Sequence, residues 1–309
     1  SLGLRLLYRR NGMDLKAGDR FTTVATFTPI AEGEVAFEIA DQVRPGHVGT
    51  VADEHVDPID ITATVLDLAV RGHLVITELH QPTGGVQDWR LQRTEQDTGR
   101  LFGFEKLLLE AIAPVGGSTL VSELPDTVAP LIPKVQEALY DDVVQRGWFD
   151  GRPDATRGNW RRIGWISLAV ALLVGIVLVA FTNLGLLALV LVLLATLLIW
   201  LGRLMPRRTR LGTRLVNGLD VLAMLLATWP TDQMPKGREI SEISRVLPYA
   251  VVLGGRRRWV EAMVAADDED IPDSVEVGWY RAPEGWQLSQ LPGSLNQFIH
   301  VVQGVLFSR

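Results

Sequence analysis

The chain has 309 residues, a formal net charge of −6, 47% hydrophobic residues and 21% charged residues. It has no cysteine, which excludes a disulfide framework, a Cys-ligated zinc or iron–sulfur centre and a thiolate nucleophile. Its acidic balance argues against general nucleic-acid binding, which needs a basic domain or stripe.

Residues 1–48 read as an extended, β-containing segment that follows an earlier membrane span. Ser1–Leu7 is short and apolar and leads into Tyr8-Arg9-Arg10. That pattern fits the cytoplasmic end of a preceding spanning helix in a longer protein, and it equally fits a surface strand. Phe21–Thr28 and Glu34–Ile39 are β-prone. Pro45-Gly46 and Gly49 mark a loop.

Residues 49–100 read as a winged-helix-like module. Asp57 is placed as an N-cap, Pro58 at the first helical position and Asp60 as the return partner of a capping box. The helix runs to Arg71 and stops at Gly72. Ile61, Val65, Leu68 and Ala69 form the expected buried stripe. Asp60, Thr64, Asp67 and Arg71 form the expected exposed stripe and the candidate partner-binding face. His73–Leu79 and Asp88–Arg93 are strands joined by a turn at Gln81–Gly85, in the position of a wing. With two Asp and a single Arg on the exposed stripe, contact with phosphates would be repulsive, so nucleic acid is not an expected partner.

Residues 101–156 read as a second helical module, with helices at Phe102–Ile112 and Pro133–Arg146. The run Arg71-Gly72-His73-Leu74 returns in similar form as Arg146-Gly147-Trp148-Phe149.

Residues 163–202 contain no Asp, Glu, Lys, Arg or His. Forty such residues are enough for two spans of about 20 each. The polar stretch Thr182-Asn183-Leu184-Gly185 divides them into helices at about 163–181 and 184–202, a transmembrane hairpin. Arg157, Arg161 and Arg162 precede it, Arg203, Arg207, Arg208, Arg210 and Arg214 follow it, and the turn is uncharged. The positive-inside rule then places both soluble parts in the cytoplasm and the turn outside, in a multi-pass plasma-membrane protein. Trp160, Trp165 and Trp200 sit where an interfacial aromatic belt belongs.

Residues 207–309 read as a mainly helical cytoplasmic segment. Helices are expected at Arg210–Thr228, at Arg238–Arg245 and from Leu247-Pro248 to about Ala266. An acidic turn follows at Asp267–Asp270, then an aromatic irregular stretch, Ser274–Gln287. In Ser294–Phe307, Leu295, Phe298, Ile299, Val302 and Leu306 recur at helical spacing, either docked on the protein or lying in the interface. Arg256, Arg257 and Arg258 beside Trp259 are candidate contacts to anionic lipid heads.

The fold class expected is therefore an α+β membrane protein: a two-helix hairpin flanked by winged-helix-like α/β modules and a helical C-terminal segment. These residues together resemble the bacterial family of predicted membrane proteins called domain of unknown function 2207. The likeness runs through Val56–Leu74, the two-span hairpin, Arg208–Gly212, Leu247–Gly254 with Trp259, and Trp279-Tyr280. It implies an extracytoplasmic β domain and a further span before Ser1. The stretch Ala31–Pro45 departs from the family pattern, as does the missing Gly/Ser-rich tail. The resemblance implies architecture and no catalytic residue.

Motifs for chemistry are missing. No two histidines stand at i, i+3 or i+4, there is no P-loop and there is no nucleophile elbow. His47 and His55, flanking Asp53 and Glu54, form at most a loop metal site. The reading is a non-enzymatic membrane protein without cofactor or metal. Its partners are the lipid bilayer and a protein, or a second copy of itself, in an envelope complex. A membrane-tethered DNA-binding regulator is the alternative.

Overall fold

The computed structural model describes residues 13–40, 43–79, 87–202, 205–266 and 277–307. The expectations for Ser1–Tyr8, for the turn at 81–85 and for the acidic turn at 267–270 lie outside the described residues. The chain forms two compact units, one from residues 1–21 and 143–214, the other from 22–142 and 215–309.

The larger unit begins with an antiparallel hairpin, β1 (Ala25–Ala31) and β2 (Glu34–Ile39), with Phe27 opposite Phe37. Two helices follow, α1 (Pro45–Ala52) and α2 (Pro58–Val70). The expected loop at 45–49 is thus a helix. Pro45 starts it, where a missing N–H costs nothing, and its glycines serve close packing rather than a turn. A β-carbon on Gly46 would lie 2.5 Å from Thr64 Oγ1, and one on Gly49 would lie 2.2 Å from Asp60 Oδ1. The two helices approach so closely only because these positions are bare.

Strands β3 (Leu74–Glu78), β4 (Trp89–Arg93), β5 (Ser118–Leu120) and β6 (Tyr280–Arg281) make one sheet in the order β5-β4-β3-β6. β3 and β4 are antiparallel, with Ile76 opposite Leu91, while β6 lies parallel to β3, with Tyr280 opposite Ile76. The sheet therefore draws strands from the stretches 49–100, 101–156 and 207–309. Trp279-Tyr280, expected in irregular structure, supplies an edge of it. Around it lie α3 (Gly103–Ile112), the short α4 (Leu124–Thr127) and α5 (Ile132–Gln145).

In the C-terminal part the two helices expected between 238 and 266 are present, but the break between them lies after Leu253 and not before Leu247. The first runs from Glu239 to Leu253 with Pro248 inside it. Gly254 and Gly255, with φ of 95° and 93°, end that helix instead of the proline. The sequence resumes as a helix at Arg256–Ala265 and then at Leu291–Phe307. On the last helix Leu295, Phe298, Ile299, Val302 and Leu306 are all buried, so it is docked on its unit rather than lying in an interface.

The smaller unit is dominated by α6 (Pro153–Phe181) and α7 (Gly185–Leu201), an antiparallel pair joined by three residues. α6 starts ten residues before the uncharged stretch does. At 1.5 Å per residue its 29 residues measure about 43 Å, beyond the roughly 30 Å of a hydrocarbon core. The charged first turns thus extend past the apolar part. The 17 residues of α7 are apolar apart from Thr196, whose hydroxyl donates to the Val192 carbonyl. By length and composition, α6 and the helix α8 (Arg210–Thr228) are long enough to cross a membrane. α8 differs from α6 in burying Leu215, Leu219, Leu222 and Leu226 at helical spacing, the stripe of a helix docked on protein.

Candidate functional site: a buried charge network and a bare apolar hairpin

The residues expected to form a partner-binding face lie in the core. Asp60 and Thr64 are 0% and 1% exposed and Asp67 is 3% exposed, while Arg71 is half-buried. The expected exposed stripe of α2 is therefore a second buried stripe, because helices pack on this side of α2 as well as on the apolar one. Every residue from Asp60 to Ala69 is buried. Short side chains, Asp and Thr, fit against neighbouring helices where Lys or Glu would not.

Most polar groups in this interior have a partner, Asp60 Oδ1 and His73 Nδ1 being buried atoms that accept or donate no hydrogen bond among the described residues. Asp60 Oδ2 accepts from the Asp57 N–H at 2.9 Å, which is the expected capping contact. Thr64 Oγ1 donates to the Asp60 carbonyl at 2.7 Å, and Thr62 does the same to Pro58 at 2.8 Å. Arg71 reaches Asp67 at 2.8 Å and also pairs with Glu105 of α3. The second oxygen of Glu105 accepts from the Phe102 N–H at 2.8 Å. His47 Nδ1 accepts from the Arg44 N–H at 3.0 Å, which leaves the proton on Nε2, and this donates to Asp142 of α5 at 2.8 Å. The Tyr249 hydroxyl donates to the Val43 carbonyl at 2.8 Å.

Burial dominates the titration of these groups. It pushes Asp60 up to about 8, aided by the negative charges of Asp53 and Asp57 and opposed by the Asp57 and Gly49 backbone N–H groups. Burial also raises Asp67 and Glu105, with Arg71 pulling the other way. Burial alone would lower the Arg71 guanidinium, but Asp67 and Glu105 outweigh it and hold it above its ordinary value. His73, buried near Arg71, is lowered.

Arg44, Glu105, Asp142 and Tyr249 were not singled out by the sequence reading, and His47 was read as a loop metal candidate, since their pairing depends on which helices meet. One signal was present. A helix with Asp and Thr opposite its apolar stripe, and no Lys or Glu there, is short of the long polar side chains that water-facing helices carry.

The second predicted cluster divides. Trp259 is fully buried, its indole N–H donating to the Leu226 carbonyl at 2.9 Å, and its ring is stacked on Phe27 at 5.5 Å. Arg258 donates to the carbonyls of Leu226 and Trp229 and lies over the Trp259 ring. These two residues hold the core and do not face lipid. Arg256 bonds Asn296 at 2.6 Å, and the exposed Arg257 pairs with Glu261 at 2.8 Å. A cavity of about 340 Å³ lies between them and Pro292–Asn296. Among the described residues there is no group of three or more His, Cys, Asp or Glu that could hold a metal. His55, part of the candidate loop metal site, instead turns on Asp53, with its N–H on Asp53 Oδ1 at 2.8 Å.

The hairpin shows the opposite organisation. Its outward side chains are large and apolar, Phe181 and Leu186 being 82% and 81% exposed. Within the uncharged stretch, the buried positions of the two helices are Gly164, Ala171 and Gly175 on α6 and Ala188 and Ala195 on α7. A β-carbon on Gly164 would meet Ile199 Cγ1 at 2.6 Å, and one on Gly175 would meet the Ala188 side chain at 3.3 Å. Gly202 continues the seven-residue spacing 188, 195, 202 and lies against Trp160. Small residues at a helix seam with large ones outside is how helices associate in lipid, where burying apolar surface gives no advantage. The chain segments at the open end of the hairpin are fastened together. Arg208 pairs with Asp14 at 2.8 Å, Thr209 Oγ1 donates to the Gly147 carbonyl at 2.5 Å, and Phe149 bridges Arg208.

A helical pair apolar on the outside and a buried polar network in the other unit set the two parts of the chain apart. No curated protein and no solved structure matches the chain. The model of the family described as predicted membrane protein (DUF2207), C-terminal domain, matches residues 32–263, the family that the motifs of Val56–Leu74 and Leu247–Gly254 resemble. The chain belongs to that family of predicted membrane proteins.

Proposed function

We propose that this is a non-enzymatic membrane protein of the bacterial plasma membrane. The α6–α7 hairpin crosses the bilayer twice and carries cytoplasmic soluble segments that contact a protein partner or a second copy in an envelope complex. The observation that carries this is the outer surface of the hairpin: uncharged from Ile163 to Gly202, apolar and exposed, with arginines at one end only. The order α1, α2, β3, β4 supports a winged-helix-like reading of residues 49–100. Partner contact through α2 is not part of the proposal, because Asp60, Thr64 and Asp67 are sealed in the core. The same burial disfavours the DNA-binding alternative, since α2 has no face left to enter a groove.

The natural lack of cysteine makes a labelling test clean. Single cysteines at Asn183 and Ser289 are introduced in the full chain and treated in intact cells with a membrane-impermeant thiol reagent. The expected result is labelling at position 183 and none at 289. Labelling at 289 but not at 183 reverses the orientation, and equal labelling of both refutes the hairpin as a membrane anchor.

A further inference from the structure

We infer that the open end of the hairpin is a binding collar for anionic phospholipid headgroups, with Arg161, Arg162 and Arg210 as its contacts. The inference rests on the reading of residues 163–202 as a membrane hairpin and adds headgroup selectivity to it.

Charge is divided unevenly between the two units. Residues 1–21 and 143–214 hold 15 Lys and Arg against 4 Asp and Glu, a formal charge of +11. The remainder holds the same 15 cations against 32 acids, a formal charge of −17. The hairpin unit, 93 residues against 216, is thus both enriched in arginine and nearly cleared of carboxylates. From Ala155 to Leu219, 65 residues, there is not one Asp or Glu, although eight Arg lie there. Membrane orientation depends on Lys and Arg near the span ends and is nearly indifferent to Asp and Glu. Forty of the 65 are the apolar spans, which exclude any charge, but in the 25 flanking residues, 155–162 and 203–219, topology alone gives no reason to exclude carboxylates. Contact with a negatively charged surface does, because each carboxylate there would repel it.

The geometry brings the cations to headgroup depth. Arg161 and Arg162 are exposed on α6, one turn before Trp165, which is 58% exposed. Trp200, 56% exposed, stands at the other leg of the hairpin. Gly202 packs against Trp160 and the Arg161 backbone, so the end of α7 and the Arg161 turn share one level. Tryptophan rings mark the boundary between hydrocarbon and headgroup. Guanidinium forks beside them match the paired oxygens of a lipid phosphodiester. Arg210, exposed at the start of α8, adds a third cation to the same unit.

The test reconstitutes the full chain in vesicles of phosphatidylcholine in which brominated phosphatidylglycerol or brominated phosphatidylcholine quenches tryptophan emission. At roughly fivefold per arginine near an anionic surface, the native chain is expected to prefer phosphatidylglycerol by tenfold or more. The triple variant Arg161→Gln, Arg162→Gln, Arg210→Gln should bring that preference close to one, while quenching by brominated phosphatidylcholine persists. The triple Lys variant should retain the preference, and Arg100→Gln, exposed in the other unit, should leave it unchanged. A native preference near one, or an undiminished preference in the Gln variant, overturns the collar. Absence of quenching by either lipid overturns the membrane hairpin itself, a separate failure.

Discussion

Helices α2 and α6 are mirror cases of the same rule. α2 hides two carboxylates and two threonines and leaves almost nothing to water. α6 hides glycine and alanine and leaves leucine, isoleucine and valine outside. In α2 the neighbours are protein, so polar groups must be paired by other side chains, as Arg71 pairs Asp67 and Glu105. In α6 the large apolar side chains need no protein partner if hydrocarbon surrounds them, and only the seam facing α7 must fit closely. The difference shows that a helix cannot be assigned an inside and an outside from polarity alone; the medium on each side has to be known first.

The comparison can be broken most forcefully at Arg71. Arg71→Met leaves Asp67 and Glu105 buried without their cation and should cost about 3–5 kcal/mol in denaturant unfolding of the detergent-solubilised full chain. A cost under about 1 kcal/mol would mean the network is not sealed from water.

Leucine truncation probes the two helices directly. Leu68→Ala empties a fully buried site on α2 and should cost about 2–5 kcal/mol. Leu186→Ala removes the same atoms from the exposed face of α7 and should stay within about 0.5 kcal/mol. Equal costs would show that the hairpin surface is covered by protein after all.

Close approach gives a third contrast. Gly49→Ala pushes a methyl group into the buried Asp60 carboxylate, and overpacking of this kind costs about 1–3 kcal/mol. In the hairpin, the pair Gly175→Cys with Ala188→Cys should form a disulfide on mild oxidation, since β-carbons there lie 3.3 Å apart. Adding Gly164→Leu, which collides with Ile199, should lower that yield several-fold if the seam holds the helices together.

The last contrast concerns pH. The folded chain keeps a proton on Asp60 up to about 8, whereas the unfolded chain releases it near 4. Folding then takes up a proton between these values, so stability from this group is full below about pH 4 and declines as pH rises towards 8. Asp67 and Glu105, also raised by burial, act in the same direction. Asp60→Asn removes one contributor, and its unfolding midpoint relative to the native chain should therefore rise steadily from pH 5 to pH 8. A gap that narrows with rising pH would refute the buried neutral carboxyl.

Much was legible before any coordinates. The uncharged run at Ile163–Gly202 and its polar midpoint place both helices and the turn between them, though α6 starts ten residues earlier than the run, because a helix needs about 20 apolar residues to cross hydrocarbon. The Asp57-Pro58 start and Gly72 stop of α2, and the strands at Leu74–Glu78 and Trp89–Arg93, follow from capping and alternation, which are local effects. The Gly164–Ala171–Gly175 and Ala188–Ala195–Gly202 spacings were also readable as a seam but become meaningful only once α6 faces α7. The tertiary structure alone decided that Asp60, Thr64 and Asp67 are interior, that Trp259 and Arg258 hold a core rather than a lipid, and that β6 joins β3 across some 200 residues of sequence. Helical periodicity ranks the faces of an element by polarity. Which face meets water, lipid or another helix depends on partners far along the chain, and only the folded arrangement supplies them.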